Sequence, residues 1–597
     1  MQNEIGFQSS SGLNLGGQVW VRIYSGEFWR GEGPSFGSTR ESMPWSASPP
    51  EDFLLVDAES NCRGTDHLLW FEDEAHKIYW CGLFYTAGSP AGLASITKLA
   101  TDLRSNSLQQ LAARFRGVFM LLVEDKRSST RYVLVDNTGM FHVFCSGSGI
   151  ATSFLELAAL QGSRSYDLDP DAVVEFLHFG YTAFGRTLLK NIVKLPGEEI
   201  ACVSRAGISF IQKALPSFES LPTQSLEDVL RDFTSSVAAE RVSVDLTGGM
   251  DTRALVCILH YVGLNFDVAV RGEDANPDVQ IARAVADAIG KPLHVCHTSV
   301  DDLESQLPTV LNICDGLLDV TKAHSALQVQ RERVQRGITL MLSGNGGELY
   351  RDDWWLQDFP FYARKKANIE RFCAYRLSHK DPDHSFLAGN YRQISQGYRQ
   401  RLMQDLTRYE VRGNTQSYDR LVIHFRIRDL IGRLVTNHTH LLRCYVPFVE
   451  RDALIFGYNL PRTRRFFDYY FRETATKCAP RAARLPTTRG HVSMSAEWPM
   501  MTKDFYKYCD DKLTRVKRSL EQKYLKRYYR SRGKLDVALE PPKLFSMLRR
   551  YEPVNRAVAR LKDAGILNRD VNTDGLKNEY LGTVLTLGLV MDRLDAA

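Results

Sequence analysis

The 597-residue chain lacks the features that mark several specialised classes of protein. It has no run of eighteen apolar residues, so we expect no membrane-spanning helix. Residues 1–4 (MQNE) have neither the basic nor the apolar character of a signal peptide. The eleven cysteines include no CxxC pair, because even the two closest, Cys296 and Cys314, are eighteen positions apart. This spacing excludes a zinc knuckle and predicts reduced thiols, so we expect a cytoplasmic protein with no membrane partner.

Neither sign of charge dominates the chain. The 75 Lys and Arg residues exceed the 70 Asp and Glu residues by only five, which does not indicate a nucleic-acid partner, and we expect none. Residues 503–534 are locally basic, with twelve Lys or Arg residues against four acids and with Tyr524, Tyr528 and Tyr529 among them. An anionic or peptidic partner would fit such a surface, but we favour a long solvent-exposed helix.

Hydrophobic patterning divides the chain into two parts. Residues 1–215 contain short strand-type runs separated by turn residues. The polar residues 216–225 are typical of a linker. We therefore place a domain boundary between residues 215 and 216.

The second part begins with alternating strands and helices. Residues 241–246 and 266–270 have strand patterns, and a helical pattern from Pro277 to Ile289 is followed by Gly290. This alternation predicts a doubly wound parallel sheet. The chain beyond Val310 is mainly helical in pattern.

A glycine-rich turn, residues 247–252 (TGGMDT), lies between the first of these strands and its helix. Its glycines allow backbone N–H groups to approach phosphate oxygens, and the helix N-terminus adds a partial positive charge. Asp251 beside a polyphosphate requires a cation between them, and Mg²⁺ prefers such oxygen ligands. The spacing matches neither the Walker loop nor the dinucleotide fingerprint. We predict nucleotide contacts at Thr247, Gly248, Gly249, Asp251 and Thr252, with Asp251 as a Mg²⁺ ligand.

A second glycine-rich turn, residues 343–348 (SGNGGE), follows another strand pattern. Parallel strands place the loops after them at one edge of the sheet, so this turn can face the first one. We predict nucleotide contacts at Ser343, Gly344 and Gly346, and a second Mg²⁺ carboxylate at Glu348.

The two turns resemble the pyrophosphatase loop (SGGxDS) and the SGxG-plus-acid turn of the asparagine synthetase family. Four other segments resemble the same family in the same order, namely residues 115–119, 136–139, 187–197 and 445–450. The resemblance implies an α+β glutaminase-like (N-terminal-nucleophile) sandwich domain at residues 1–215. It further implies an α/β doubly wound ATP-pyrophosphatase (PP-loop) domain at residues 216–597, with a basic helical C-terminal region from about residue 500. Such a protein uses Mg-ATP to adenylate a carboxylate, releases pyrophosphate and passes the acyl group to an amine. The nucleotide contacts that the family implies include Leu246 and Val270.

Departures from the family pattern refine this expectation. Gln2 stands where a working glutaminase has its nucleophilic cysteine, and Asn137 stands where the family has an arginine. We therefore expect a degenerate glutaminase-like domain, which shifts the resemblance toward β-lactam synthetase and the lasso-peptide cyclases. Asn345 replaces the glutamate of the second turn, and Thr488, followed by Arg489, stands near the lysine of β-lactam synthetase. These three are the candidate catalytic residues.

The prediction is an AMP-forming amide ligase that joins a carboxylate to an amine without hydrolysing glutamine, with lasso-type macrolactam formation favoured. A β-lactam synthetase-like ligase, a tRNA-adenylating enzyme and a catalytically inactive ATP-binding scaffold stay open as alternatives. Partner proteins of a biosynthetic cluster are a further expectation.

Some other polar residues are left with open roles. Arg253 can reach a phosphate or face solvent, and for Asp278 we favour an ordinary interaction with the helix dipole. Tyr350 resembles in type the catalytic tyrosine of β-lactam synthetase. Further candidate pocket groups are His294, His297, Asp352 and Asp353.

Overall fold

The computed structural model describes most of the chain in ten segments. They are residues 19–24, 55–57, 69–147, 149–159, 166–204, 207–354, 364–373, 384–488, 492–525 and 542–596.

The described strands form three sheets. They are β1 (Val19–Tyr24), β2 (Leu55–Asp57), β3 (Leu69–Glu72), β4 (His76–Thr86), β5 (Phe115–Asp125), β6 (Thr130–Val135), β7 (Phe144–Ser146), β8 (Gly149–Ala151), β9 (Val193–Lys194), β10 (Glu199–Ser204), β11 (Gly207–Gln212), β12 (Val242–Asp245), β13 (Phe266–Arg271), β14 (Leu293–Cys296), β15 (Leu340–Leu342) and β16 (Arg443–Tyr445).

The described helices lie mostly in the second half of the chain. They are α1 (Leu93–Asp102), α2 (Leu108–Leu111), α3 (Phe154–Ala159), α4 (Pro170–Phe179), α5 (Leu226–Ser236), α6 (Met250–Tyr261), α7 (Pro277–Ile289), α8 (Leu303–Cys314), α9 (Val320–Gln335), α10 (Ile369–Phe372), α11 (Gly389–Thr407), α12 (Asn414–Val422), α13 (Gly432–Thr439), α14 (Arg451–Asn459), α15 (Arg462–Arg465), α16 (Tyr469–Cys478), α17 (Pro480–Ala483), α18 (Trp498–Leu525), α19 (Pro542–Arg550), α20 (Glu552–Asp563) and α21 (Asn578–Asp595). A π-helical segment, Ile423–Ile431, joins α12 to α13.

Two antiparallel sheets occupy the N-terminal part of the described chain. Their strand orders are β2-β1-β8-β7-β9 and β11-β10-β6-β5-β4-β3. Successive side chains of a strand point to opposite faces, and β4 shows the result: Ile78 and Trp80 pack in a core with α1 and α2, whereas Tyr79 and Cys81 join the large core that includes the other sheet. The arrangement is a layered α+β sandwich. Its likeness to a glutaminase stays a prediction.

The third sheet is parallel, with the order β14-β13-β12-β15-β16. Strand β12 comes first in the chain, β13 and β14 are added on one side of it, and β15 and β16 on the other. This confirms the predicted doubly wound α/β sheet. Helix α7 runs from Pro277 to Ile289 as predicted, and Gly290 ends it in the left-handed conformation, with φ of 65°.

The large hydrophobic core runs through both halves of the chain. The C-terminal helix α21 packs against α4, α3 and α9, and Thr583 donates its hydroxyl to the carbonyl of Leu177. The end of the chain is therefore packed against the N-terminal sandwich, and the boundary at residue 216 stays a prediction. None of the helices that the structure describes combines the length and apolar character needed to cross a membrane.

Candidate functional site

The two glycine-rich turns meet between β12 and β15, where the strand order of the parallel sheet reverses. One turn follows β12 and the other follows the neighbouring strand β15, and ligands of doubly wound sheets bind at such a switch point. A Cβ atom added to Gly344 would lie 2.9 Å from the Cα of Thr252, and one added to Gly347 would lie 2.6 Å from the Cβ of Asp251. The turns therefore touch through glycines, and their packing leaves no room for side chains there.

Hydroxyl groups fix the shape of the first turn. The backbone N–H of Thr247 donates to the hydroxyl of Thr252 at 3.1 Å, and the N–H of Gly249 donates to the hydroxyl of Thr247 at 3.1 Å. Gly249 is the N-cap of α6, and no side chain caps this helix. The first N–H groups of a helix have no partner within the helix, so the N-terminus of α6 is suited to an anion.

Two residues distant in sequence complete the first turn. The N–H of Gly248 donates to Oδ1 of Asp278 at 3.0 Å, and the carbonyl of Gly248 accepts from the N–H of Thr488 at 2.9 Å. Asp278, which we expected to serve mainly the dipole of its own helix, therefore hydrogen-bonds to the first turn directly. Thr488 lies beside the loop, consistent with its predicted place in the site.

Arg253 neither reaches for a phosphate nor faces solvent. Its side chain is fully buried in α6, and its guanidinium donates to the carbonyls of Leu485 and Pro486 at 2.6 and 2.7 Å. Burial lowers the pKa of Arg253 to about 10. Arg253 therefore links the segment before Thr488 to α6, the helix that begins at the first turn.

The second turn is held by its own polar groups and by β16. The N–H of Ser343 donates to the carbonyl of Tyr445, and the side-chain amide of Asn345 donates to the hydroxyl of Ser343 at 2.7 Å. Gly346 adopts φ of 86°, a left-handed conformation that glycine adopts without strain. Asn345 is exposed at the turn, where its amide can hydrogen-bond but cannot accept a proton as a carboxylate would.

Both predicted metal carboxylates face arginines in this structure. Asp251 lies 2.9 Å from Nε of Arg351, and Glu348 lies 3.4 Å from Nε of Arg426. Arg426 belongs to the π-helical segment, a type of distortion that occurs often at functional sites. Arg351 is 2% exposed and also lies 3.7 Å from Asp468.

The carboxylates converge closely enough to act on one guanidinium. Despite its burial, the pKa of Arg351 is raised by Asp251, Asp468, Asp353 and Glu348. An excess of carboxylate oxygens over positive charge suits Mg²⁺. The residues therefore fit the predicted ion, with Asp251 and Glu348 as the ligands offered from the two facing turns.

The turn that carries Asp468 is strained. Phe467 and Asp468 have φ of 58° and 57°, and two consecutive non-glycine residues in this region cost roughly 1–2 kcal/mol each. The N–H of Phe467 donates to Asp352 at 3.2 Å. Arg351 and Asp352 thus hold the strained turn from two sides, which makes Asp352 a structural residue and not an open pocket group.

Several predicted residues lie elsewhere or have other roles. Leu246 and Val270 have buried side chains, so any nucleotide contact there would use their backbone. Tyr350 is not in the site, because it is fully buried among aromatic rings and donates its hydroxyl to the carbonyl of Ala453 at 2.7 Å. Arg489 lies outside the described residues.

The two histidine candidates lie on or near β14. His294 is hydrogen-bonded to Glu332 of α9, and His297 lies 3.8 Å from Glu273. Neither contact involves the glycine-rich turns. Asp353 is among the acids that raise the pKa of Arg351, so it belongs to the surroundings of the site.

Asn137, which stands where the family has an arginine, has a buried side-chain amide. Asn137 donates to the carbonyls of Ala112 and Phe115 at 2.7 and 3.1 Å, and its oxygen accepts from Lys213 at 3.2 Å. The cysteines that the structure describes are buried, apart from the half-buried Cys509. Gln2, the position of the expected nucleophile, lies outside the described residues, and a degenerate glutaminase stays a prediction.

Comparison with known proteins identifies the family. The model of the Asparagine synthase family matches residues 225–527, just over half of the chain, and the chain belongs to this family. No curated protein is significantly similar to the chain. Among solved structures, it has a local likeness to the glutamine-dependent NAD+ synthetase from Acinetobacter baumannii in complex with adenosine diphosphate, at 18% identity and a TM-score of 0.17. That likeness covers 32% of this chain and 46% of the synthetase chain, so the fold assignment depends on the sheet order and the family match.

Proposed function

We propose that the protein is an ATP-dependent, AMP-forming amide ligase that adenylates a carboxylate and joins it to an amine without hydrolysing glutamine. The observation that carries the proposal is the contact of two glycine-rich turns at the switch point of the parallel sheet. The first turn supplies Asp251 and leads into α6, which no side chain caps, and the second turn supplies Glu348. Membership of the Asparagine synthase family supports the same general activity.

Each group of the site has its own role in this proposed reaction. The N-terminus of α6 binds the pyrophosphate portion of ATP through backbone N–H groups, which are fixed before charge develops on the leaving group. Mg²⁺, when bound, neutralises phosphate charge, and Asp251 and Glu348 would hold it. Thr488 lies against Gly248 and places the residue 485–488 segment along the nucleotide. Asn345 orients a substrate by hydrogen bonding, because an amide cannot act as a general base.

The amine is supplied by a substrate and not by glutamine. Asn137 is occupied by backbone carbonyls and Lys213, so it is not available to bind the carboxylate of glutamine. The described N-terminal sandwich then serves as a wall or brace for the ligase site. The occupied Asn137 supports the proposal that the protein joins a carboxylate to an amine of its own substrate.

A peptide is the favoured substrate, with closure of a macrolactam ring of the lasso type. Helix α18 exposes Trp498, Tyr506 and Leu513, which are 79%, 78% and 62% exposed. The same helix is rich in basic residues. Apolar and cationic groups on one long helix favour contact with something larger than an amino acid; a small-molecule ligase similar to β-lactam synthetase is the alternative.

The test is release of pyrophosphate from Mg-ATP with pools of amino acids, diacids and short peptides. Wild type and Asp251→Asn are compared in every pool. Asn has nearly the shape of Asp but is a neutral and weaker metal ligand, so we expect release with one pool and its loss in the variant. A variant as active as wild type would refute the assignment of Asp251.

The same assay separates the ligase from an inactive scaffold. A scaffold would bind ATP but release no AMP or pyrophosphate with any pool, even when its partner proteins are added. The ligase should give equal amounts of AMP, pyrophosphate and amide product. Mass spectrometry of the product, with loss of one water for a ring, distinguishes macrolactam formation from joining two molecules.

A further inference from the structure

We propose that Arg351 is the resident counter-charge of the metal site, holding Asp251 while no metal is bound and giving up that carboxylate when Mg²⁺ binds. This inference rests on the proposed function, since it assigns Asp251 to a metal. It makes Arg351 a positioning residue, because the guanidinium acts on the metal through the carboxylate.

The first argument is the geometry of the contact. Nε of Arg351 lies 2.9 Å from one oxygen of Asp251, and Nη2 donates to the other oxygen at 3.4 Å. Both carboxylate oxygens thus face one guanidinium, one through an ion pair and the other through a hydrogen bond. A metal that binds Asp251 must take over at least one of these oxygens.

The second argument is that Arg351 has somewhere to remain after Asp251 is released. Its Nη1 lies 3.7 Å from Asp468, and the negative charges of Asp353 and Glu348 also favour the charged form of the guanidinium. A buried arginine cannot lose its proton to relieve an unfavourable charge. Several neighbouring carboxylates therefore allow it to stay charged and buried as the metal binds.

The third argument is that the surroundings fix Arg351 in place. The side chain is 2% exposed, and its neighbour Asp352 accepts from the N–H of Phe467 and from the hydroxyl of Tyr508. The guanidinium is thus held beside Asp251 by packing on one side and by the strained turn on the other. This arrangement predicts a fixed charge close to the metal, and not a mobile surface arginine.

A charge so close to the metal must weaken metal binding in the absence of nucleotide. When Mg²⁺ arrives with ATP, the phosphates add negative charge and offset the effect of Arg351. The apo site then stays neutralised, and the metal binds mainly as its nucleotide complex.

The test is binding of Mn²⁺, a substitute with the same preference for oxygen ligands, to nucleotide-free protein. Loss of the electron paramagnetic resonance signal of free Mn²⁺ measures binding without requiring turnover. We expect Arg351→Met to tighten binding on the order of tenfold, Arg351→Lys to lie between this variant and wild type, and Asp251→Asn to bind most weakly. Arg336→Met is the matched control and should bind Mn²⁺ as wild type does. Arg336 pairs with Asp267 near the start of β13, at the opposite end of the strands from the two glycine-rich turns.

The outcomes separate this inference from the proposed function. Unchanged or weaker Mn²⁺ binding in Arg351→Met, together with loss of binding in Asp251→Asn, would overturn the role of Arg351 alone. Binding that is the same in wild type and Asp251→Asn would overturn the metal assignment itself. If Arg351→Met does not fold, Arg351→Lys decides: an affinity equal to or below that of wild type overturns the inference.

Discussion

Substitution of Gly347 by alanine probes the contact between the two turns. The added methyl group would lie 2.6 Å from the Cβ of Asp251 and 2.8 Å from its Cγ, so either the second turn or α6 must shift. Overpacking of this kind costs about 1–3 kcal/mol, which a chain with so large a continuous core should survive. A displacement of about 1 Å in a catalytic group can cost on the order of 10²-fold in rate. We therefore expect Gly347→Ala to remain folded but to lose most of its pyrophosphate release.

The assay compares activity and thermal stability in the same preparation. Gly575→Ala is the matched control, because the nearest atom to its added Cβ is the side-chain oxygen of Asn572 at 3.2 Å, far from the turns in sequence and able to move. This control should keep both its stability and its activity. A Gly347→Ala protein that keeps half or more of wild-type turnover would refute the argument that contact between the turns positions Asp251.

Three other predictions concern Arg253, which holds the residue 485–488 segment, Glu450, which hydrogen-bonds to the N-terminal sandwich, and helix α18. Arg253→Met should release the residue 485–488 segment and lower turnover more than ATP affinity, as measured by steady-state kinetics and nucleotide binding; equal losses would contradict a positioning role. Burial raises the pKa of Glu450 from 4.5 to about 7. The favourable contribution of Glu450 to folding stability is therefore complete below pH 4.5 and is lost as pH rises to about 7. Denaturant unfolding of Glu450→Gln should not show this fall in stability. Trp498→Ala and Tyr506→Ala should raise KM for a peptide substrate and leave ATP binding unchanged, and a loss of ATP binding would count against the substrate role.

Local sequence signals were sufficient for the parallel sheet and for the meeting of the two glycine-rich turns. Pro277 at the start and Gly290 at the end of α7 are short-range signals of backbone conformation, and the structure has the helix between them. The two glycine-rich turns were expected to face each other because parallel strands end at one edge. The structure brings them into contact at Gly344 and Gly347.

Long-range partners could not be read from the sequence. Arg253 has carbonyl partners more than 230 positions away, and no local pattern indicates which side of α6 will be covered. Tyr350 stands close to the second turn in sequence, but the 3₁₀ turn Gly347–Tyr350 points it into an aromatic core. Arg351 offered one usable signal, since a cation three positions after the acid of the turn and directly before two aspartates invites the question of which carboxylate it pairs with.

The N-terminal sandwich contacts the site through a short relay of packed residues. Thr138 donates its hydroxyl to the carbonyl of Val449 at 2.7 Å, and Val449 packs so tightly on Gly346 that an added Cβ there would lie 2.3 Å from its Cγ1. Glu450 accepts from the N–H of Gly117 on β5 at 2.9 Å. The same residues that resemble the glutaminase half and the late family segment therefore brace the second glycine-rich turn. The N-terminal sandwich thus has a physical role at the site, because removing it would leave the turn that carries Glu348 without its support.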